Sequence, residues 1–293
     1  MQVTDPPLAP MSPPDGGAVL KTFSRHRPAL GGALLLALVA IAVFIGPLFG
    51  QNPESIETAS IYMRPSAAHL LGTDQLGRDL LARTIAGGRL SLSIGLLATL
   101  LTAVVGTLYG LLSALGPRWL DHLLMQLLDT FLAIPLILLA ILIQATGELS
   151  LVRLAVAIAL VSWLGVARIV RTECQRILGS DFIKAAVATG SGVFRLTWRH
   201  LLPNIGAPLL VVLTASVGQA LILEATLSFL NLGVPSTVPS WGNLLGNGMS
   251  AALNGAWWCV VFPGLLITLT VLSINLVGDG LRDVIDPRSR MQA

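Results

Sequence analysis

Six long, mostly apolar runs alternate with short polar segments rich in Gly and Pro along these 293 residues. The runs fall at roughly 29–50, 90–116, 122–146, 152–173, 204–230 and 256–279. A bilayer core takes about 20 helical residues at roughly 1.5 Å rise each. The pattern therefore predicts an all-α polytopic membrane protein with six transmembrane helices. The second run is the cleanest, with no charge between Arg89 and Arg118. The third carries Asp129 and has a predicted kink at Pro135, which lacks the N–H a helix needs there. The fourth has the shortest uncharged core, Leu154 to Ala167, with basic ends.

One polar interruption differs from the rest. Residues 181–204 read DFIKAAVATGSGVFRLTWRHLLPN. Ser180 or Asp181 is suited to cap a helix start, where an acid also favours the positive end of the helix dipole. Phe182 to Thr189 then supplies about two turns, and Ala185 and Ala186 keep one face small. Gly190 is placed to end the helix in a left-handed conformation, and Gly192 adds a second turn residue. Arg195, Arg199 and His200 follow, and the pair Pro203-Asn204 marks the predicted start of the next span. A short helix with a small-residue face, joined to two spans, can seat in a partner's groove and pass on its motion. The plain alternative is a solvated loop.

Two further polar segments lie at the other ends of the spans. Residues 51–89 hold a polar turn of Gly72, Thr73, Asp74, Gly77, Arg78 and Asp79. Leu80, Leu81, Ile85 and Leu90 then recur at helical spacing, with Arg83 and Arg89 off that face. The spacing predicts an amphipathic helix lying flat at the interface, either a docking surface or a structural collar. Residues 231–255 are almost uncharged yet broken by Pro235, Pro239, Gly242, Gly246 and Gly248, with Trp241 among them. The segment is too broken for one long helix. It reads either as a fold-back into the bundle mouth that gates the pathway or as a surface loop.

Composition and charge sharpen this. Only 11% of residues are charged and 54% are hydrophobic, with mean hydropathy +0.79. Soluble domains carry roughly 25% charged residues, so lipid is the main solvent of this chain. A net charge of +3 gives no argument for nucleic acid. Of the 18 Lys and Arg residues, 13 fall on the segments that share a side with the N-terminus. The positive-inside rule then places both termini and the 181–204 loop in the cytoplasm. The six Trp residues fall mostly near span ends, as interfacial anchors do. Residues 1–20, rich in Pro and Gly, read as a flexible tail rather than a signal peptide.

Candidate chemistry is sparse. Asp129 and Glu224 are the acids most clearly within spans, and such groups normally face a bundle interior or water. They read as pathway lining or as helix–helix hydrogen bonds. Gln144 and Gln219 are weaker candidates of the same kind. Cys174 and Cys259 are expected near opposite faces, as inert thiols. No Cys/His cluster has metal-ligand spacing, no cofactor is expected, and no GxxxxGK[ST] phosphate loop occurs. If ATP drives this chain, a separate chain binds it, so a non-catalytic role is expected.

The 181–204 segment resembles the EAA loop of ABC-importer permeases. Lys184-Ala185-Ala186, Gly190 and Leu202-Pro203 match its spacing, with Lys184 where that family usually has Glu. HLLGTDQLGRDLLARTIAGGRLSL from His69, EATLSFLNLGV with PSWGNLL at 224–245, and NLVGDGLRDVIDPRSR at 275–290 are similar to segments of the DppC/OppC branch. The resemblance covers about 28–290. It implies a type I importer permease fold and assigns Asp181, Lys184, Ala185, Ala186, Gly190, His200 and Pro203 to coupling with an ATPase. Gly72, Asp74, Gly77, Arg78, Asp79 and Trp241 are then the expected external docking or gating residues. The implied partners are a sister permease in a heterodimer, two cytoplasmic ATPase subunits, an external solute-binding protein and membrane lipid, in a bacterial inner membrane. Di- and oligopeptides are the first expectation for cargo, with nickel, metal-chelate and opine-like solutes next. A secondary carrier and a non-transporting scaffold are the rivals from other classes. The implied layout is a cytoplasmic tail at 1–28, a first span at 29–50, an external segment at 51–89, a five-helix core at 90–285 with the loop near 180–203, and a cytoplasmic tail at 286–293.

Overall fold

The computed structural model describes residues 26–46 and 52–285. Of the expected tails, 1–28 and 286–293, residues 1–25 and 286–293 lie outside the described residues. The described chain is helical, with one isolated antiparallel bridge between Thr73 and Asp79. Helix α1 spans Arg27–Ile45 and α2 spans Leu80–Leu115. Arg118–Leu132 forms α3 and Leu136–Ala145 forms α4. Next come α5 at Leu151–Leu178 and α6 at Asp181–Ala188. The chain then runs from α7, Val193–Leu196, through a π-turn at Thr197–Leu201 into α8, Leu202–Phe229. Helix α9 covers Trp241–Leu253 and α10 covers Trp258–Ile285.

Five helices are long and apolar enough to span, and α3 with α4 makes a sixth if the bent pair is one crossing. The two halves diverge by 79°. The break falls where Pro135 removes an N–H and disfavours helical geometry at Ile134. The start of the first span and the end of the last meet at one end of the bundle. His26 Nε2 lies 3.1 Å from Asp283 Oδ2 there. Cys174 and Cys259 are buried near opposite ends of the bundle.

Between spans there is no water to expel, so close backbone approach drives their packing. Helix α2 meets α5 through a small-xxx-small pair. A Cβ on Gly106 would stand 2.8 Å from Val166 Cβ, and one on Gly110 would stand 2.6 Å from the Ala167 carbonyl oxygen. Tyr109, on the same helix, packs edge-on against Trp163 at 4.7 Å and donates to the Leu124 carbonyl at 2.7 Å. That contact ties α3 to the α2–α5 pair.

Three expectations change. The flat interfacial helix does not form, because residues 80–89 are the opening turns of the single 36-residue α2. Arg83, expected on a polar face, is 1% exposed. The span after the 181–204 loop does not begin at Pro203 but ten residues earlier, as one helix from Val193 to Phe229. Pro203 cannot donate to Arg199, and the π-turn just before it absorbs the mismatch, with Leu202 N–H reaching back to the Thr197 carbonyl.

Candidate functional site

The 181–204 segment folds as a helix, a stop and a lever. Helix α6 ends in a Schellman motif: Ser191 N–H bonds the Ala186 carbonyl at 3.0 Å and Gly190 N–H bonds that of Val187 at 2.9 Å. Gly190 sits at φ +88°, the left-handed stop the sequence predicts. Neither candidate N-cap acts through its side chain. The Ser180 hydroxyl donates instead to the Ile177 carbonyl at 2.5 Å. Asp181 pairs with Lys184 at 2.8 Å, and that ammonium holds its carboxyl below the usual range. Both side chains are widely exposed, so the pair adds little stability.

One side chain anchors α6. Ile183 is 2% exposed and packs with Leu196, Leu201 and the end of α5. The other faces are open: Lys184 and Ala185 are exposed, Ala186 and His200 are half-buried, and Pro203 is exposed. Phe182, Val187, Val193, Phe194 and Trp198 are also exposed, Phe194 to 77%. Phe194 and Trp198 lie 6.1 Å apart, and Phe182 and His200 6.3 Å. Sequence reading singled out the small face of α6 and missed this apolar patch. The signal was an aromatic residue every few positions beside Arg195 and Arg199, in a segment too polar to be a span.

At the opposite end, the polar turn is an internally bonded knot. Asp74 Oδ1 accepts from the backbone N–H groups of Leu76 at 2.8 Å and Arg78 at 3.0 Å. Its Oδ2 accepts from Arg78 Nε at 2.8 Å and lies 3.4 Å from Arg83 Nε. Asp79 caps α2 through Ala82 N–H at 2.8 Å and meets His69 Nδ1 at 2.9 Å. Gly72 and Gly77 have φ of +79° and +72°. A Cβ on Gly77 would stand 1.9 Å from the Glu57 carbonyl oxygen. The knot docks on α10, where Trp258 Nε1 donates to the Thr73 carbonyl at 3.1 Å.

Trp241 and Trp258, expected as interfacial anchors, belong to the core, at 1% and 3% exposed. Trp241 opens α9, and its Nε1 donates to the Thr84 carbonyl at 2.9 Å. Within residues 231–255, Trp241–Leu253 therefore folds back as a packed helix rather than a loose loop. Gly242 and Gly248 allow this: a Cβ at either would stand 2.5 Å from a carbonyl oxygen, of Ala225 and Cys259 respectively.

The polar residues within spans separate into two groups. Asp129 and Gln219 are exposed on the chain surface, and Asp129 is ion-paired with Arg168 of α5. Gln144 and Glu224 are buried. Gln144 donates to the Leu232 carbonyl at 2.9 Å, holding the chain after α8. Glu224 accepts from the Ser228 hydroxyl at 2.8 Å. A pair that sequence reading missed joins α3 to α5, where Asp121 accepts from Arg171 through both oxygens at 2.5 and 2.6 Å. Only the three-dimensional approach of two basic and two acidic positions 50 and 39 residues apart reveals these pairs.

These features define a class: a polytopic helical membrane subunit presenting one short exposed helix between two crossings. The profile of the family described as "Binding-protein-dependent transport system inner membrane component" matches residues 106–291. A protein of Brucella abortus named as a peptide transport system permease protein is 40% identical over 273 residues, covering 93% of this chain and 92% of its own. The di/tripeptide transport system permease protein DppC of Pseudomonas aeruginosa is 39% identical over 280 residues, with 93% and 92% covered. A Brucella suis protein named as a peptide permease is 38% identical over 271 residues, with 92% and 90% covered. The chain belongs to the family of binding-protein-dependent transport system inner membrane components, and it is a membrane permease subunit.

Proposed function

We propose that this chain is one of two permease subunits of an ATP-driven importer of di- and oligopeptides. A sister permease completes the path, two cytoplasmic ATPases bind the α6 end, and an external binding protein delivers cargo to the opposite end. The observation that carries this reading is α6 itself, anchored by Ile183, stopped at Gly190 and ringed by exposed Phe182, Val187, Phe194 and Trp198. Apolar surface of that kind, rimmed by charge, marks a protein contact. The names of the relatives support peptides as cargo.

In this reading ATP-driven closure of the ATPases draws two such helices together and opens the bundle outward. Hydrolysis then resets it inward. The catalytic chemistry lies in the ATPases. Asp129, Arg168 and Gln219, polar and exposed on spans, are the residues we place toward the path or the sister subunit, because lipid is a poor neighbour for them. The knot around Asp74 and the neighbouring surface of α9 form the external docking face. Ala185→Trp and Gly190→Val test the coupling role. Each variant should insert normally, lose the co-purifying ATPase, and reduce uptake by about 100-fold, the upper range for energetic coupling between distant sites. Wild-type uptake with the ATPase retained in both variants would reject the proposal.

A further inference from the structure

Glu224 lies on α8 at the end of the bundle away from α6, with no exposed surface. Among the described residues it is the buried acid of the spans that the coupling role leaves unused. Its Oε1 holds the Ser228 hydroxyl one turn on. The hydroxyls of Ser91 on α2 and Ser240 at the start of α9 stand beside the carboxyl, while Oε2 closes a bond to neither. Both hydroxyl oxygens are already in use as acceptors. Ser91 Oγ takes Trp241 N–H at 3.2 Å, and Ser240 Oγ caps α9 by taking Asn243 N–H at 3.1 Å. Each therefore keeps its own proton free to donate to Glu224. Three helices converge on one carboxyl with one oxygen still unpartnered, and a buried oxygen in that condition favours any small shift that closes the bond.

We infer that Glu224 is a positioning residue, a bolt that fixes the first turn of α9 to α8, so that movement entering at α6 is delivered to the opposite mouth. The path is covalent and helical for most of its length. From Val193 to Phe229 the chain is one helix, and Glu224 lies about 45 Å along it from Val193. Without the carboxyl α8 still moves, but the Ser240 hydroxyl at the start of α9 has no acceptor on α8 to close on. Close packing at Gly242 alone, against the Ala225 carbonyl, sets position but not hydrogen-bond register. Glu224 touches no cargo in this arrangement. It acts through α9, and this role rests on the importer reading above.

The test uses the complete importer purified with its partners. Glu224→Leu keeps the volume and removes the acceptor, while Glu224→Gln keeps an oxygen for Ser228 and adds two donors. The Leu variant should assemble, retain basal ATP hydrolysis within about twofold, and lose about tenfold or more of binding-protein-stimulated hydrolysis and uptake, as expected for lost coupling between distant sites. The Gln variant should restore both. Native thiols give an independent readout. Cys259, whose carbonyl lies under Gly248 of α9, should become open to maleimide in the Leu variant, while Cys174, buried at the α6 end, stays protected. Wild-type uptake by Glu224→Leu would overturn the inference. So would simultaneous exposure of both thiols, which marks general loosening. A wild-type complex that fails to respond to its binding protein sinks the importer reading instead, and the contrast between Cys259 and Cys174 still decides the bolt.

Discussion

At the scale of single residues, two left-handed glycines do different work. Gly190 ends α6 in open space, with nothing within 4 Å of the point a Cβ would occupy, whereas Gly77 lies against the Glu57 backbone. An L-residue in the left-handed region costs about 1–2 kcal/mol. Gly190→Ala should therefore lower stability by about that amount, without other structural cost. Gly77→Ala adds a backbone clash in the Asp74 knot and should cost more than about 3 kcal/mol. Thermal unfolding in detergent ranks the two, and equal losses would show that the knot yields. Gly190 was legible because Gly follows an eight-residue helical pattern with Ser and Gly beyond it. Gly77 read only as part of a polar turn, since the carbonyl it must clear belongs to residue 57, 20 positions earlier.

Elements are held by polar ties whose strength follows burial. Asp121 and Arg171 are 14% and 24% exposed and share two hydrogen bonds, whereas Asp129 and Arg168 are 62% and 50% exposed. A double-mutant cycle on Asp121→Asn and Arg171→Gln should give a coupling energy of about 1–3 kcal/mol. The same cycle on Asp129→Asn and Arg168→Gln should give less than about 1 kcal/mol in the isolated subunit. Equal values would mean that α3 is not fixed to α5 by its first turn. Sequence periodicity found every span, yet it misplaced the start of α2 and of the helix leading into α8. In both cases charge in the opening turns put the start of the uncharged run after the start of the helix. Arg83 escapes that rule by reaching Asp74, and Arg195 and Arg199 escape it by lying beyond the apolar part of their helix.

For the whole molecule, sidedness is the open test of the proposal. Thr189→Cys, beside the Schellman stop, and Asn254→Cys, after α9, are both at exposed positions. An impermeant maleimide added to intact cells should label residue 254 alone, and opening the cytoplasmic side should add residue 189. Labelling of residue 189 from outside would invert the molecule and remove the ATPase from α6. The loops that matter most for this test were legible at once, because a bilayer forces every polar backbone group into helices and leaves the charged connections at the two surfaces.

By itself the sequence determined the long apolar runs, the break at Pro135, and the short helix with its glycine stop. Each of these follows from local chemistry: hydrophobic length, a missing N–H, and a residue without a Cβ. The tertiary structure alone decided that Arg83 and Trp241 are core, that Glu224 of α8 lies beside α2 and the start of α9, and that the helix beyond the α6 stop runs unbroken from Val193 to Phe229. Those outcomes depend on which distant carbonyls, hydroxyls and small residues come within a few ångströms, and no spacing along a chain encodes that meeting.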